Sequence, residues 1–188
     1  ACRAQVDAMN AGAELVYRFT DLVPSPDTTV VVNCGGRTRS IIGAQALINA
    51  GVPNKVVSLK NGTQAWHLSG FEVRKGCTDR YGPVSAAGHA RAREMAERVA
   101  GKFKVPRVGP EALAQTGPGT LYVFDVRAPD EYAAGHIPGM KNVPGGQLVQ
   151  ETDRHAAVWG ARIIVVDDDG VRAVMTAHWL IQMGWDAA

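Results

Sequence analysis

Displaced by 133 positions, the chain matches itself without a gap. Gly12, Leu15, Val16, Val32, Arg39, Ala44, Leu47, Ile48 and Gly51 recur as Gly145, Leu148, Val149, Val165, Arg172, Ala177, Leu180, Ile181 and Gly184. The match preserves the spacing from an apolar strand to the end of the next helix, so it implies two copies of one domain type rather than a short solenoid repeat. The copies are caught at different stages. The second holds a strand at 121–127, a helix start at APDEYAAG and a turn at HIPGMKNVPGG, all of which the first would need before residue 1. Conversely, the first continues through a strand at 55–60 and a short helix holding Trp66, whereas the second stops at Trp185-Asp186-Ala187-Ala188, just before the matching strand. Each copy is therefore expected to be incomplete, as in a middle piece of a longer repeated protein or a chain completed by a partner. Open sheet edges favour pairing with another chain, as a homodimer or by strand exchange.

Chemistry concentrates at residues 30–40, VVVNCGGRTRS. Val30, Val31 and Val32 suit a buried parallel strand, and Gly35 and Gly36 permit backbone angles closed to other residues, so the strand ends at Cys34. From Thr38 or Ser40 a helix follows, with Ile41, Ile42, Ala44, Leu47 and Ile48 on its apolar face and Gly51 and Pro53 at its close. Ligands of open α/β sheets bind at such strand–loop–helix turns, where the first-turn N–H groups attract anions. A free thiol is only about 3% ionised at neutral pH, so a working nucleophile needs a pKa lowered by about one to two units. Loop N–H groups together with Arg37 and Arg39 have the means to supply that, and both guanidinium groups suit a bidentate grip on an oxyanion.

Cysteine, four residues and then Arg-Ser resembles the active-site loop of rhodanese-like sulfurtransferases. The resemblance implies that Cys34 carries a sulfane sulfur as a persulfide, that Gly35, Gly36, Arg37 and Thr38 form its cradle, and that Arg39 closes the loop. It implies a small sulfur donor such as thiosulfate, a thiophilic acceptor, and no metal or organic cofactor. Phosphatases of this fold carry one more residue between Cys and Arg; here that position is Ser40, which disfavours them. The Gly62-x-x-x-Trp66 element is also similar to the family's, with Trp66 expected in the core.

The second copy resembles the family in Asp125-Val126-Arg127, Asp130-Glu131-Tyr132 and Gly135-His136-Ile137-Pro138-Gly139. Structural roles are expected for these residues, with Asp130 capping a helix and His136 fixing a turn. Asp167 stands opposite Cys34, and an aspartate cannot carry a persulfide. Asp167, Asp168 and Asp169 should repel anions, with a magnesium site as the alternative. The expected architecture is α/β, a central parallel sheet flanked by helices in two incomplete tandem copies: residues 1–73 with the Cys loop, a basic helical linker at 74–104, and 105–188 lacking the loop cysteine and its last strand.

Charge excludes some classes. The net +2 hides 9 basic and 3 acidic residues in 74–107 against 5 and 10 in 108–188. The basic stretch has no aromatic platform for nucleic acid and reads as a solvated helix. No run approaches a membrane span, and the first residues lack a basic-then-apolar signal pattern. Cys2, Cys34 and Cys77 are odd in number and widely spaced, which fits free thiols and a cytoplasmic location.

Overall fold

The computed structural model describes residues 12–76, 81–114 and 119–188. Cys2 and Cys77 lie outside the described residues. In the first copy, α1 (Ala13–Leu22) leads to β1 (Val30–Val32), α2 (Thr38–Ala50), β2 (Val56–Ser58) and α3 (Gly62–Leu68). β1 and β2 pair in parallel, Val30 with Val56 and Val32 with Ser58, and α2 is the crossover such a pair requires. Gly51 ends α2 at φ 74°, where its N–H reaches the Leu47 and Ile48 carbonyls; a left-handed residue of this kind disfavours any side chain.

The chain then forms α4 (Ala86–Phe103), α5 (Glu111–Ala114), β3 (Leu121–Asp125), α6 (Pro129–Ala134), β4 (Lys141–Asn142), α7 (Gly145–Gln150), α8 (Thr152–His155), β5 (Arg162–Val166), α9 (Arg172–Gln182) and β6 (Asp186–Ala187). Its sheet has the order β4-β3-β5-β6 and is parallel throughout. The fold is thus α/β, with parallel sheets flanked by helices. Among the described residues no helix is long and apolar enough to cross a membrane.

β6 corrects one expectation. Residues 186–187 already pair with β5, Arg162 with Asp186 and Ile163 with Ala187, so the chain enters the strand it was expected to stop short of. The cause is a tighter turn. Val30 pairs with Val56, 26 residues on, but its counterpart Ile163 pairs with Ala187, 24 residues on, and the ungapped match therefore breaks after Gly184.

A second correction concerns α4, expected as a solvated linker. Ala92, Met95, Ala96 and Val99 are buried and join Val16, Phe19, Leu47 and Ala50 of the first copy and Val171, Val174 and Met175 of the second in one apolar cluster. Two of its arginines donate to backbone carbonyls. Arg98 Nη1 donates to Ala50 O at 3.0 Å and Gly51 O at 3.2 Å, at the carbonyl end of α2. Arg93 Nε donates to Asp169 O at 2.7 Å, and His89 Nε2 lies 3.1 Å from the same oxygen. A separate cluster around Phe124, Val143, Leu148, Ile163, Val165, Leu180 and Trp185 forms the second copy's core.

His178 is fully buried on α9, with its ring 5.1 Å from that of Phe103 on α4 and Nδ1 2.6 Å from Met175 O. Burial pulls its pKa down to about 4. The unfolded chain then binds the proton more readily, so His178 contributes stability that is complete above about pH 6.5 and is lost as pH falls through 4. The expected loss across that window is about 3 kcal/mol. Urea unfolding at several pH values should therefore show wild type losing stability relative to His178→Phe between pH 6.5 and 4. Parallel curves for the two proteins would count against the burial of a neutral imidazole.

Candidate active site

Cys34 follows β1 by two residues and precedes α2 by four, at the carboxyl end of the strand. Its side chain is buried, while Gly35, Arg37 and Thr38 are exposed and Gly36 and Arg39 half-buried. The Gly36 and Ser40 N–H groups act on the sulfur from close by and favour its charged form, and the Ser40 hydroxyl lies 3.5 Å from it. Burial raises the thiol pKa, but the Ser40 hydroxyl and N–H, the Gly36 N–H and the Arg39 charge together outweigh it. The net effect holds Cys34 below the usual thiol range, the requirement for a thiolate nucleophile.

The loop keeps its shape through α3. Thr63 N–H donates to Cys34 O at 3.0 Å and Gln64 N–H to Gly35 O at 3.1 Å, so the first turn of α3 binds the loop's outward carbonyls. Asn33 Nδ2 adds a bond to Thr63 Oγ1 at 3.0 Å. Gly62 makes this approach possible. At φ 61° it lies in the left-handed region, and a Cβ there would sit 2.5 Å from Gly36 O and closer still to Cys34 O. Sequence alone marked Gly62 as part of a Gly-x-x-x-Trp element but not as a support of the cysteine loop.

Of the residues expected at the site, Cys34, Gly36 and Arg39 converge on the sulfur. Gly35 lies beside Arg39, whose Nη2 is 3.9 Å from the position a Gly35 Cβ would take. Arg37 and Thr38 face outward, with Arg37 contributing its carbonyl to the loop interior. Ser40, which the sequence does not mark as a sulfur contact, lies against it. A hydroxyl in the first turn of a helix that starts beside a cysteine was the available signal.

Trp66 is a correction: it is 43% exposed rather than in the core. Its ring packs on Phe71 at 4.7 Å and its Nε1 donates to Glu72 O at 2.9 Å, so the indole is held by the chain just after α3.

In the second copy the strand-end marks are tied to one another by hydrogen bonds. Arg127 donates to both Asp125 oxygens, to Gly135 O at 2.8 Å and to Asp168, clasping the turn that His136 joins through Tyr132 O at 2.9 Å. The cap on α6 is not Asp130. Glu131 accepts the Ala128 N–H at 2.9 Å and also binds Arg172.

The aspartate loop turns two of its three carboxylates onto its own backbone. Asp167 turns inward and accepts the N–H groups of Gly170, Val171 and Ala173 at 3.1, 3.0 and 2.9 Å, while Asp169 takes those of Val171 and Arg172 at 2.7 and 2.9 Å. Asp167 and Asp169 thus occupy the N–H groups that would meet an anion, while Asp168 stays exposed and pairs with Arg127. They are also committed against magnesium, and among the described residues no group of three or more His, Cys, Asp or Glu is placed to hold a metal. Burial first, then the neighbouring Asp169 carboxylate, pushes Asp167 up to about 6.

A parallel α/β fold with a cradled cysteine at a strand end, together with a family-model match over residues 5–69 and 110–188, defines the class: this chain belongs to the rhodanese-like domain family. The two matched stretches fit two tandem copies. Among solved structures, the chain is similar to a thiosulfate sulfurtransferase from Pseudomonas aeruginosa, with 53% identity and a TM-score of 0.91 over 94% of this chain and 34% of that one. It is also 42% identical over 65 residues to an HTH-type transcriptional regulator of Mycobacterium tuberculosis, covering 35% of this chain and 27% of the regulator. The chain thus spans about a third or less of the length of these relatives.

Proposed function

We propose that the chain carries out sulfur transfer through a persulfide on Cys34. The observation that carries this reading is a sulfur buried at a strand end with the Ser40 hydroxyl 3.5 Å away, where the Ser40 and Gly36 N–H groups and the Arg39 charge favour the thiolate. The Cys34 thiolate attacks the outer sulfur of a donor such as thiosulfate. A new S–S bond forms, the bond to the sulfite group breaks, and its electron pair leaves with sulfite. Gly36 and Ser40 N–H groups then hold the persulfide, and exposed Arg37 with Arg39 suits the doubly charged donor. A thiophilic acceptor, such as cyanide, a dithiol or a protein thiol, takes the outer sulfur and returns the thiolate. The name of the Pseudomonas aeruginosa relative supports thiosulfate as donor. A reducing compartment such as the cytoplasm suits a free Cys34 thiol.

Steady-state thiocyanate formation from thiosulfate and cyanide tests this reading. Wild type should turn over, and Cys34→Ser should fall by at least about a thousandfold, since the nucleophile is lost. Equal rates in the two proteins would remove Cys34 from the mechanism. A single stoichiometric release without turnover would instead favour a persulfide-sensing module.

A further inference from the structure

Ser40 is only 1% exposed, yet its side chain belongs to no apolar cluster. Its Oγ donates to Arg37 O at 2.9 Å and lies 3.5 Å from Cys34 Sγ. A hydroxyl has one proton to donate. With that proton on the Arg37 carbonyl, the Ser40 oxygen is left as acceptor for the Cys34 S–H. Once the thiol ionises, its proton leaves to solvent and the sulfur becomes an acceptor that the hydroxyl can serve only by rotating away from Arg37 O.

We propose that Ser40 is a positioning residue of the sulfur site, whose hydroxyl accepts the Cys34 S–H at rest and turns its O–H onto the thiolate when the cysteine ionises. This deepens the sulfur-transfer reading and rests on it. The rotation links the charge on the sulfur to the loop backbone, because the Arg37 carbonyl loses a partner as the sulfur gains one. The charged group acting on Cys34 is Arg39, and α3 packs against the loop with Gly62, Thr63 and Gln64, none of which titrates. The Ser40 hydroxyl is thus the movable donor in a setting of fixed ones.

The test is the pH profile of Cys34 alkylation by iodoacetamide, read on the Cys34 peptide by mass spectrometry, for wild type, Ser40→Ala and Ser40→Thr. Loss of the hydroxyl should raise the midpoint by about one pH unit, with about tenfold slower alkylation on the acidic limb. Threonine keeps the hydroxyl and should return the midpoint to within a few tenths of wild type. A wild-type midpoint in Ser40→Ala overturns the proposal, as does an equal shift in both variants, which would assign the effect to loop packing. An alanine protein unable to fold overturns it too, by placing the hydroxyl's role in the loop's structure. Alkylation needs no sulfur donor, so Ser40 stands or falls by this profile whether or not the chain transfers sulfur.

Discussion

Gly62→Ala should cost about 2–5 kcal/mol of stability and lower sulfur transfer at least tenfold even where the protein remains folded. Two effects combine. The backbone at φ 61° penalises any side chain, and the new Cβ would meet the carbonyl oxygens of Cys34 and Gly36, which are backbone atoms and cannot swing aside as a flexible side chain could. Relief requires α3 to withdraw from the loop. Thr63 and Gln64 would then release the Cys34 and Gly35 carbonyls, and the Gly36 N–H, which shares a peptide with the Gly35 carbonyl, would shift relative to the sulfur. Gly70→Ala is the matched control, since Gly70 also has positive φ but nothing lies within 4 Å of its Cβ position. It should lose only about 1 kcal/mol and keep its activity. Urea unfolding and thiocyanate assays on both variants would decide the matter, and equal behaviour would show that the loop does not depend on the close approach of α3.

Arg172→Leu should destabilise the protein by about 3–5 kcal/mol, the cost of leaving buried carboxylates without their counter-charge. Arg172 is 1% exposed and binds Asp169, Glu131 and, from the first copy, Glu14. Its guanidinium also lies 4.6 Å from the centre of the Tyr17 ring on α1. Glu14 and Asp169 are themselves almost fully buried, so removing the cation strands negative charge between the two copies. Glu14→Gln should cost clearly less, because the other carboxylates still hold the arginine. A loss below about 1 kcal/mol for Arg172→Leu, measured by urea unfolding, would mean that the cluster is solvated in solution.

Arg172 occupies the position of Arg39 in the repeat, and the contrast explains how the copies diverged. In the first, the arginine acts on a sulfur; in the second, the sulfur is replaced by an internal carboxylate and the arginine becomes the tie to the neighbouring copy. The repeat, the strand end at Cys34, the span of α2 and its closure at Gly51 were legible because glycine, β-branched runs and helical periodicity act locally. The role of α4 was not. Its buried face is built largely from Gly88, Ala92 and Ala96, too weakly apolar to stand out, and its arginines suggest solvent until the carbonyls they reach are known. Trp66 was misplaced because burial depends on what packs over a short helix, which no local pattern states. The cap of α6 fell to Glu131 rather than Asp130, and Arg172, 41 positions away, gives Glu131 a second partner. Ser40 and Gly62 escaped for the same reason: their importance lies in contacts across the loop, not in the spacing along it.

The central claim is that Cys34 carries the sulfur. It is tested most directly by the intact mass of the protein after incubation with thiosulfate, for wild type and Cys34→Ser in parallel. The account predicts a gain of one sulfur, about 32 Da, in wild type only, removed again by cyanide. A wild-type mass that does not change, or the same gain in Cys34→Ser, would contradict it.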